Sequence, residues 1–541
     1  MNHIHRPILS TLIACALVLP GFAVDPDDRF SYWPRDLKIQ GMVIATATGE
    51  IDAEIPGIFL AAAGGDSAKV AVIDLRSAAG DELPNSMLGE VEPVEAITLR
   101  PGGAPFTPSS NLAEASGILL LSDSVLGGGL RESLDKLAPE LQARIQAGSV
   151  VCAIGPVASL LGDRAKNDDL GTGLGLIPSA IIDTGFSGAR DRETLLNLLS
   201  QHPKCVGIGL PEGTSIVLNQ RKVRCFGPGP ATFMLAGNGR QPEREEQIYP
   251  SAVRGNNPYE TIADLTAWRR DAIERQLPPF PAQQVPVPDV EQGSLIIVGG
   301  GGMPRGLMER MVEMAGGENA RMVYVPCTEA EQVGPDNRLV RQWQSMGVES
   351  THTFHTKDRT KADSDDTFLA PLKNATGIWF GGGRQWNFAD SYFGTKAHEL
   401  MHAVLERGGV IGGSSAGASI QADYLARANP VANFDIMAPG YERGLGFIEG
   451  VAIDQHFSQR GRQKDMRQLV ERYPQVLGLG IDEATALVVS RSQAEIVGRG
   501  QVYFYDRRRA TEAGEPYFKA YGKGTLYDLA KREVIDGGAS E

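Results

Sequence analysis

The chain has 541 residues, 42% of them hydrophobic and 22% charged, with a formal net charge of -14. That length exceeds one ordinary domain and suffices for two, each with its own core. The acidic balance and the scarcity of basic clusters exclude nucleic acid as the expected partner.

At the N-terminus, Met1 to Arg6 is short and carries a positive charge, the apolar run from Ile8 to Leu19 follows, and Pro20-Gly21-Phe22-Ala23 closes it. This is the layout of a secretory signal peptide over residues 1–23, so a secreted or periplasmic protein is expected. The run is too short for a permanent membrane helix, and no later stretch is apolar enough to span. Leu12-Ile13-Ala14-Cys15 also has the form of a lipoprotein-processing site, although the apolar run continues past Cys15. The other cysteines, Cys152, Cys205, Cys225 and Cys327, form no C-x-x-C pair. Three of them lie in strand-like apolar runs, so packed free thiols are expected, with a Cys205–Cys225 disulfide left open by export.

Two halves of the chain repeat each other. Gly117-Ile118-Leu119-Leu120 matches Gly377-Ile378-Trp379-Phe380, and Gly148-Ser149-Val150-Val151 matches Gly408-Gly409-Val410-Ile411, both 260 positions on. Gly173 to Ile177 matches Gly444 to Ile448, Ile182-Asp183 matches Ile453-Asp454, and Gly207 to Glu212 matches Gly478 to Glu483, all at an offset of 271. The second copy has therefore gained a short insertion, placed in the loop from Asn429 to Arg443. So long a repeat predicts two domains of one fold rather than a solenoid of short units. Their boundaries are read as 36–240 and 293–541. Between them, 241–292 is expected to be a linker with a helical patch from Tyr259 to Gln276 and a proline-rich stretch, Leu277 to Pro288, that favours extended geometry.

The second copy opens with the apolar strand Leu295 to Val298, ending in Gly299 to Gly302. Pro304 stands where a dinucleotide fingerprint needs its third glycine, so a tight turn explains the run. Met322 to Pro326 reads as the next strand, and Leu339 to Met346 as part of the helix behind it. Alternating strands and helices predict a parallel sheet covered on both faces. After the strand Gly377 to Phe380 comes Gly381-Gly382-Gly383, where bare backbone lets amides approach a reacting carbonyl. His398-Glu399-Leu400-Met401-His402 is H-E-x-x-H on a helix, with both imidazoles on one face, and alone it would suggest a zinc metallopeptidase. No later histidine completes a metzincin pattern, and the first copy has Ala138 and Gln142 at the two histidine positions.

The apolar run Val410-Ile411 leads into Gly412-Gly413-Ser414-Ser415-Ala416-Gly417-Ala418, a strand, sharp turn and helix with G-x-S-x-G at Gly413, Ser415 and Gly417. Ser415 is thus a candidate nucleophile. It needs a base and an acid to orient that base. His456 is the only later histidine, in Asp454-Gln455-His456-Phe457-Ser458-Gln459-Arg460-Gly461-Arg462, and Glu483 follows the strand Val476 to Ile481. The order Ser, His, Glu departs from the Ser, Asp, His of α/β-hydrolases. In the first copy Ser415 corresponds to Gly155 and His456 to Gly185, while Glu212 survives without a partner, so that copy is expected to be a dead scaffold.

These three motifs, with Gly480-Ile481-Asp482-Glu483-Ala484-Thr485-Ala486 as the last, closely resemble the cyanophycinase branch of the serine peptidases that also includes peptidase E, over roughly residues 293 to 505. The resemblance implies an α/β fold of two tandem flavodoxin-like, class I glutamine amidotransferase-like domains, each a parallel-rich sheet with helices on both faces. It makes Ser415 the nucleophile, His456 the base and Glu483 its acid, with Ala416 and Gly383 at the oxyanion. Gln385, Arg384, Asp454, Gln455, Arg460 and Arg462 stand at substrate-binding positions. Arg384 replaces the family's usual acid, and Asp465 a basic residue. The implied activity is exopeptidase hydrolysis of multi-arginyl-poly-aspartate without cofactor or metal. Alternatives are an acyl-aspartyl dipeptidase-like enzyme with another acidic substrate, the zinc enzyme above, or a non-catalytic binding protein. Family members are often dimers, so a homo-oligomer is implied, or an intrachain pseudo-dimer in which the dead copy packs on the live one.

Overall fold

The computed structural model describes residues 38–77, 85–100, 106–107, 109–124, 130–166, 171–250, 261–334, 337–508 and 517–536. The expected signal peptide lies outside them. Short uninterrupted apolar runs become strands buried on both faces, as parallel sheets require. In Ser294–Val298, Leu295 and Ile297 join one core cluster with Met401 and Val404, while Ile296 and Val298 join another with Met311 and Trp343. Helices therefore cover both sides of this strand.

Ser294–Val298 pairs in parallel with Val410–Ser414 on one side and antiparallel with Thr485–Ser490 on the other. Gly377–Phe380, Arg321–Val325 and Ser350–Thr353 extend the parallel side, and Gln493–Gly498, Leu526–Asp528 and Glu533–Asp536 the antiparallel side. A second sheet of the rear half runs Ala422–Tyr424, Ile448–Gln455, Leu477–Ile481, Val502–Tyr505 and Lys519–Tyr521. The single parallel-rich sheet expected for this half is thus two mixed sheets. The candidate serine follows the larger, and the candidate histidine and glutamate follow neighbouring strands of the smaller.

In the front half the larger sheet runs Glu95–Thr98, Val70–Asp74, Gly117–Leu121, Val150–Ile154, Met42–Thr46, Ser215–Asn219, Lys222–Phe226 and Ile262–Asp264. Its smaller sheet runs Gly162–Arg164, Ile177–Asp183, Val206–Gly209, Ala231–Leu235 and Arg244–Ile248. Gly117 pairs with Val150 as Gly377 pairs with Val410, and Ile181 with Gly207 as Ala452 with Gly478.

The stretch 241–292 differs from the expected linker. Arg244–Ile248 and Ile262–Asp264 are strands of the two front sheets, because each finds an open antiparallel edge. The helix is Leu265–Glu274, shorter than Tyr259 to Gln276, and Asp264 caps it by accepting from the Ala267 amide at 2.9 Å. That helix is buried, Arg269, Arg270 and Asp271 included. The proline-rich stretch packs on the rear half, with Phe280 stacked on Tyr424 at 6.1 Å. All four described cysteines are free thiols. Among the described residues no helix is long and apolar enough to cross a membrane.

Candidate active site

The turn that ends the strand Ser294–Val298 holds three distant segments by their amides. The Val298 carbonyl accepts from Ser415 at 3.0 Å, the Gly299 carbonyl from His456 at 2.8 Å, and the Gly300 carbonyl from Ala484, the neighbour of Glu483, at 2.8 Å. All three amide donors sit at positive φ: 58° at Ser415, 49° at His456 and 52° at Ala484. Such backbone costs free energy in non-glycine residues and persists where the surroundings over-determine it. Gly300 and Gly301 make room for what these segments carry. A Cβ on Gly300 would stand 2.4 Å from the His456 ring, and one on Gly301 2.3 Å from the Glu483 carboxyl carbon. Sequence reasoning saw in these glycines only a tight turn, since the close approach comes from residues far along the chain.

The side chains converge accordingly. Ser415 Oγ lies 3.0 Å from His456 Nε2, and His456 Nδ1 lies 2.6 Å from Glu483 Oε1. With Nδ1–H donating to Glu483, the Nε2 lone pair faces the hydroxyl. Burial pushes His456 below the ordinary histidine pKa; Glu483 opposes the shift, and Arg460 and Arg462 add to it. The elbow itself depends on its glycines. A Cβ on Gly413 would stand 2.1 Å from the Gly417 carbonyl oxygen, and one on Gly417 2.1 Å from that of Phe380.

Ala416 is the first residue of the helix Ala416–Ser419, so no carbonyl of its own helix reaches its amide. Gly382 faces it, its Cβ position 3.5 Å from Ser415 Cβ, and Gly383 at φ 153° packs against Cys327. The Gly382–Gly383 backbone and Ala416 therefore border one side of the serine.

The expected substrate-binding side chains divide differently from the sequence reading. Asp454 is wholly buried and accepts from Arg427 Nε at 2.8 Å and Arg462 Nη1 at 2.8 Å, so in this structure Asp454 and Arg462 are partners in an internal ion pair. Gln455 is buried, and its carbonyl accepts from Arg462 at 2.7 Å. Gln385 is buried too, its amide donating to the carbonyls of Ala426 at 2.6 Å and Arg427 at 2.9 Å. Arg384 donates to the Asn429 carbonyl at 2.6 Å, so it braces the insertion loop. Arg460 alone of the six is exposed. Arg427, which sequence reasoning missed, also binds Asp465 at 2.6 Å, so an acid stands where a basic residue was expected because it answers a buried arginine. Nothing in the local pattern distinguishes Arg427 from a surface residue.

The H-E-x-x-H helix does other work. The Gly394 amide donates to His398 Nδ1 at 3.2 Å, which leaves the ring proton on Nε2, 2.8 Å from the Leu445 carbonyl. His402 Nε2 meets the same carbonyl at 2.7 Å. A metal on His398 Nε2 would require the opposite tautomer. Glu399 is exposed and paired with Lys396. In this structure both imidazoles hold the Leu445 carbonyl, with their Nε2 atoms 3.2 Å apart. Among the described residues no three His, Cys, Asp or Glu side chains form a metal cluster.

The front half has a turn that resembles the hub. The Thr46 carbonyl accepts from Gly155 at 3.0 Å and the Thr48 carbonyl from Gly213 at 2.7 Å. Gly49 faces Glu212 as Gly301 faces Glu483, its Cβ position 2.6 Å from Glu212 Cγ. Gly155 and Gly185 stand where the rear half has its serine and histidine, and Thr48 where Gly300 makes room for the ring.

Residues 295–497 match the model of peptidase family S51. The cyanophycinase of Trichormus variabilis is 26% identical over 253 residues, 45% of this chain and 83% of its own length. That of Synechococcus elongatus is 28% identical over 241 residues, 43% and 73% respectively. Among solved structures, a peptidase from an acI-B1 Actinobacterium aligns at 23% identity over 44% of this chain and 97% of its own, with a TM-score of 0.34. A putative peptidase E protein from Listeria monocytogenes aligns at 16% identity over 38% and 98%, with a TM-score of 0.29.

Proposed function

We propose that the rear half is a serine exopeptidase that cleaves aspartyl peptides of the multi-arginyl-poly-aspartate type through Ser415, His456 and Glu483, a reading supported by the match of residues 295–497 to the model of peptidase family S51. One observation carries the reading: the serine hydroxyl, imidazole and carboxylate stand in sequence at 3.0 Å and 2.6 Å, on three turns fixed to one glycine hub.

Ser415 Oγ attacks the scissile carbonyl while His456 Nε2 takes its proton, and Glu483 stabilises the imidazolium. The amides of Ala416 and Gly383, or its neighbour Gly382, receive the oxyanion. His456 then hands the proton to the leaving amine. Water, deprotonated by the same imidazole, attacks the acyl-enzyme and frees the acid, restoring Ser415. Arg460, exposed beside His456, is the group placed to meet a substrate carboxylate.

The front half is proposed to be a degenerate, catalytically silent copy, since Gly155 and Gly185 supply neither nucleophile nor base. Export is supported by the apolar run Ile8 to Leu19 and the small residues after it. The departures at Arg384 and Asp465 keep a second acidic substrate in play, an acyl-aspartyl peptide, because the acid that Arg384 replaces suits a substrate arginine whereas an arginine suits a carboxylate, and Asp465 replaces a basic residue.

The test uses the purified chain and its Ser415→Ala variant, assayed against multi-arginyl-poly-aspartate and a panel of aspartyl and isoaspartyl dipeptides. Hydrolysis of at least one should fall by several orders of magnitude, toward the ~10⁶-fold loss seen when a serine nucleophile is removed. Unchanged turnover in a folded variant rejects the assignment.

A further inference from the structure

A cavity of about 320 Å³ lies between the two halves, with Lys38, Gln220 and Arg221 of the front half on one wall and Lys357, Trp386 and Asn387 of the rear half on the other. Its size falls at the lower end of small-ligand sites. Trp386 follows the Gly381–Gln385 turn directly, so the cavity adjoins the backbone that borders Ser415. The charges around it are mostly answered. Arg221 is held by Asp264 and Asp390, Lys38 by Glu331, and Asp358 caps the helix Arg359–Ser364. Arg359 donates to the Asp390 and Phe393 carbonyls, and Glu329 is exposed at the rim.

Lys357 is the exception. Its ammonium donates to Asn387 Oδ1 at 2.8 Å and more distantly to the Asn387 carbonyl, and among the described residues no carboxylate lies within ion-pair reach. Beside it Trp386 is 5% exposed, yet its indole Nε1–H meets no acceptor among the described residues. Both groups are donors only. The Trp386 N–H is an unanswered buried donor, which costs free energy that a ligand acceptor returns, and the Lys357 ammonium has neutral acceptors only. Burial accordingly pushes the Lys357 ammonium down to about 8, a shift that an incoming anion reverses.

We propose that this interdomain cavity is a carboxylate-binding subsite, in which Lys357 Nζ and Trp386 Nε1 donate to one carboxylate. The carboxylate belongs either to the acidic substrate, which rests on the peptidase reading, or to a small free acid. The front half forms one wall, so the site exists only in the two-half chain.

The full chain is titrated with succinate by calorimetry, alongside Lys357→Met, Lys357→Arg, Trp386→Phe and Ser415→Ala. Succinate should bind the native chain and Ser415→Ala alike, about tenfold more weakly to Lys357→Met, and within about threefold of native to Lys357→Arg. Trp386→Phe, which keeps an aromatic ring and removes the N–H, should also weaken binding. Thermal unfolding of each variant confirms that it is folded. No succinate binding by the native chain, or equal binding by folded Lys357→Met, overturns the proposal. Peptide hydrolysis separates the sources: a KM raised about fivefold at unchanged kcat in Lys357→Met marks the substrate's own carboxylate, and an unchanged KM with succinate binding lost marks a free acid. Should the chain hydrolyse none of the peptides, the peptidase reading fails and the succinate titration still decides the subsite.

Discussion

In the proposed mechanism His456 must be uncharged to take a proton from Ser415, so activity would require a pH above its pKa. Burial sets that pKa below the ordinary histidine value, Glu483 pulls it up, and Arg460 and Arg462 push it further down. The kcat/KM profile of the full chain is therefore expected to hold on the acid side until the pH falls below the ordinary value, with its lower limb centred there. Arg460→Gln removes one of the two opposing cations, so the same limb should move up toward the ordinary position, and KM should rise if Arg460 meets the substrate carboxylate. A limb that stays in place in Arg460→Gln would show that the exposed guanidinium is screened from the ring. Glu483→Gln acts the other way on the ring and also removes the partner of the imidazolium, so kcat should fall sharply, roughly as far as the ~10⁴-fold loss reported for an equivalent acid-to-amide change in a serine triad.

The turn Gly299 to Gly302 sets three segments with its carbonyls and leaves space for two side chains. Gly300 is at φ 93°, and a Cβ there would meet the His456 ring at 2.4 Å. Gly300→Ala is expected to displace the imidazole from Ser415 and to cut kcat at least about a hundredfold, because a misplacement of about 1 Å costs that much. Binding of succinate at the interdomain cavity should survive. Full turnover in Gly300→Ala, measured on the substrate cleaved best by the native chain, would remove the hub from the account. This is also where sequence and structure part company. The elbow was legible because G-x-S-x-G is local: both glycines are dictated by contacts within a few residues or with the adjacent strand. The candidates His456 and Glu483 could be named from sequence, the one as the only histidine after Ser415 and the other from its place after an apolar strand. The glycines of the hub were not, since their neighbours arrive from over 150 positions away. Nor was the burial of Asp454 and Arg462 around Arg427, since the motif resemblance marks them only as substrate-binding positions. The H-E-x-x-H spacing was legible as geometry, whereas the hold of both imidazoles on the Leu445 carbonyl was not, because Leu445 lies over 40 positions from the motif.

Across the whole molecule, the two halves meet at charges that neither half satisfies by itself. Asp390, on the helix Trp386–Tyr392 just after the Gly381–Gln385 turn, is 2% exposed. Burial alone would raise its carboxyl, and Arg221 and Arg270, both from the sequence before residue 292, outweigh that and hold it below the ordinary range. Tyr441 of the insertion loop donates to Asp390 at 2.7 Å, and the Gly440 carbonyl accepts from Arg270 at 2.7 Å. This loop, where the change of repeat offset places the expected insertion, lies between the front half and the Arg384–Gln385 corner of the candidate site. Removing one partner of a buried ion pair costs about 3–5 kcal/mol, so Arg221→Met should lower the unfolding free energy by an amount of that order. Residues 293–541 produced alone would leave Asp390 without either cation and the insertion loop without its outer wall. That fragment is expected to be poorly soluble or to self-associate, with hydrolysis well below that of the full chain, and co-production with residues 24–292 should restore both. A rear fragment that is soluble, monomeric and fully active would rule out the front half as a built-in partner, leaving the buried arginines as a matter of stability in the joined chain alone.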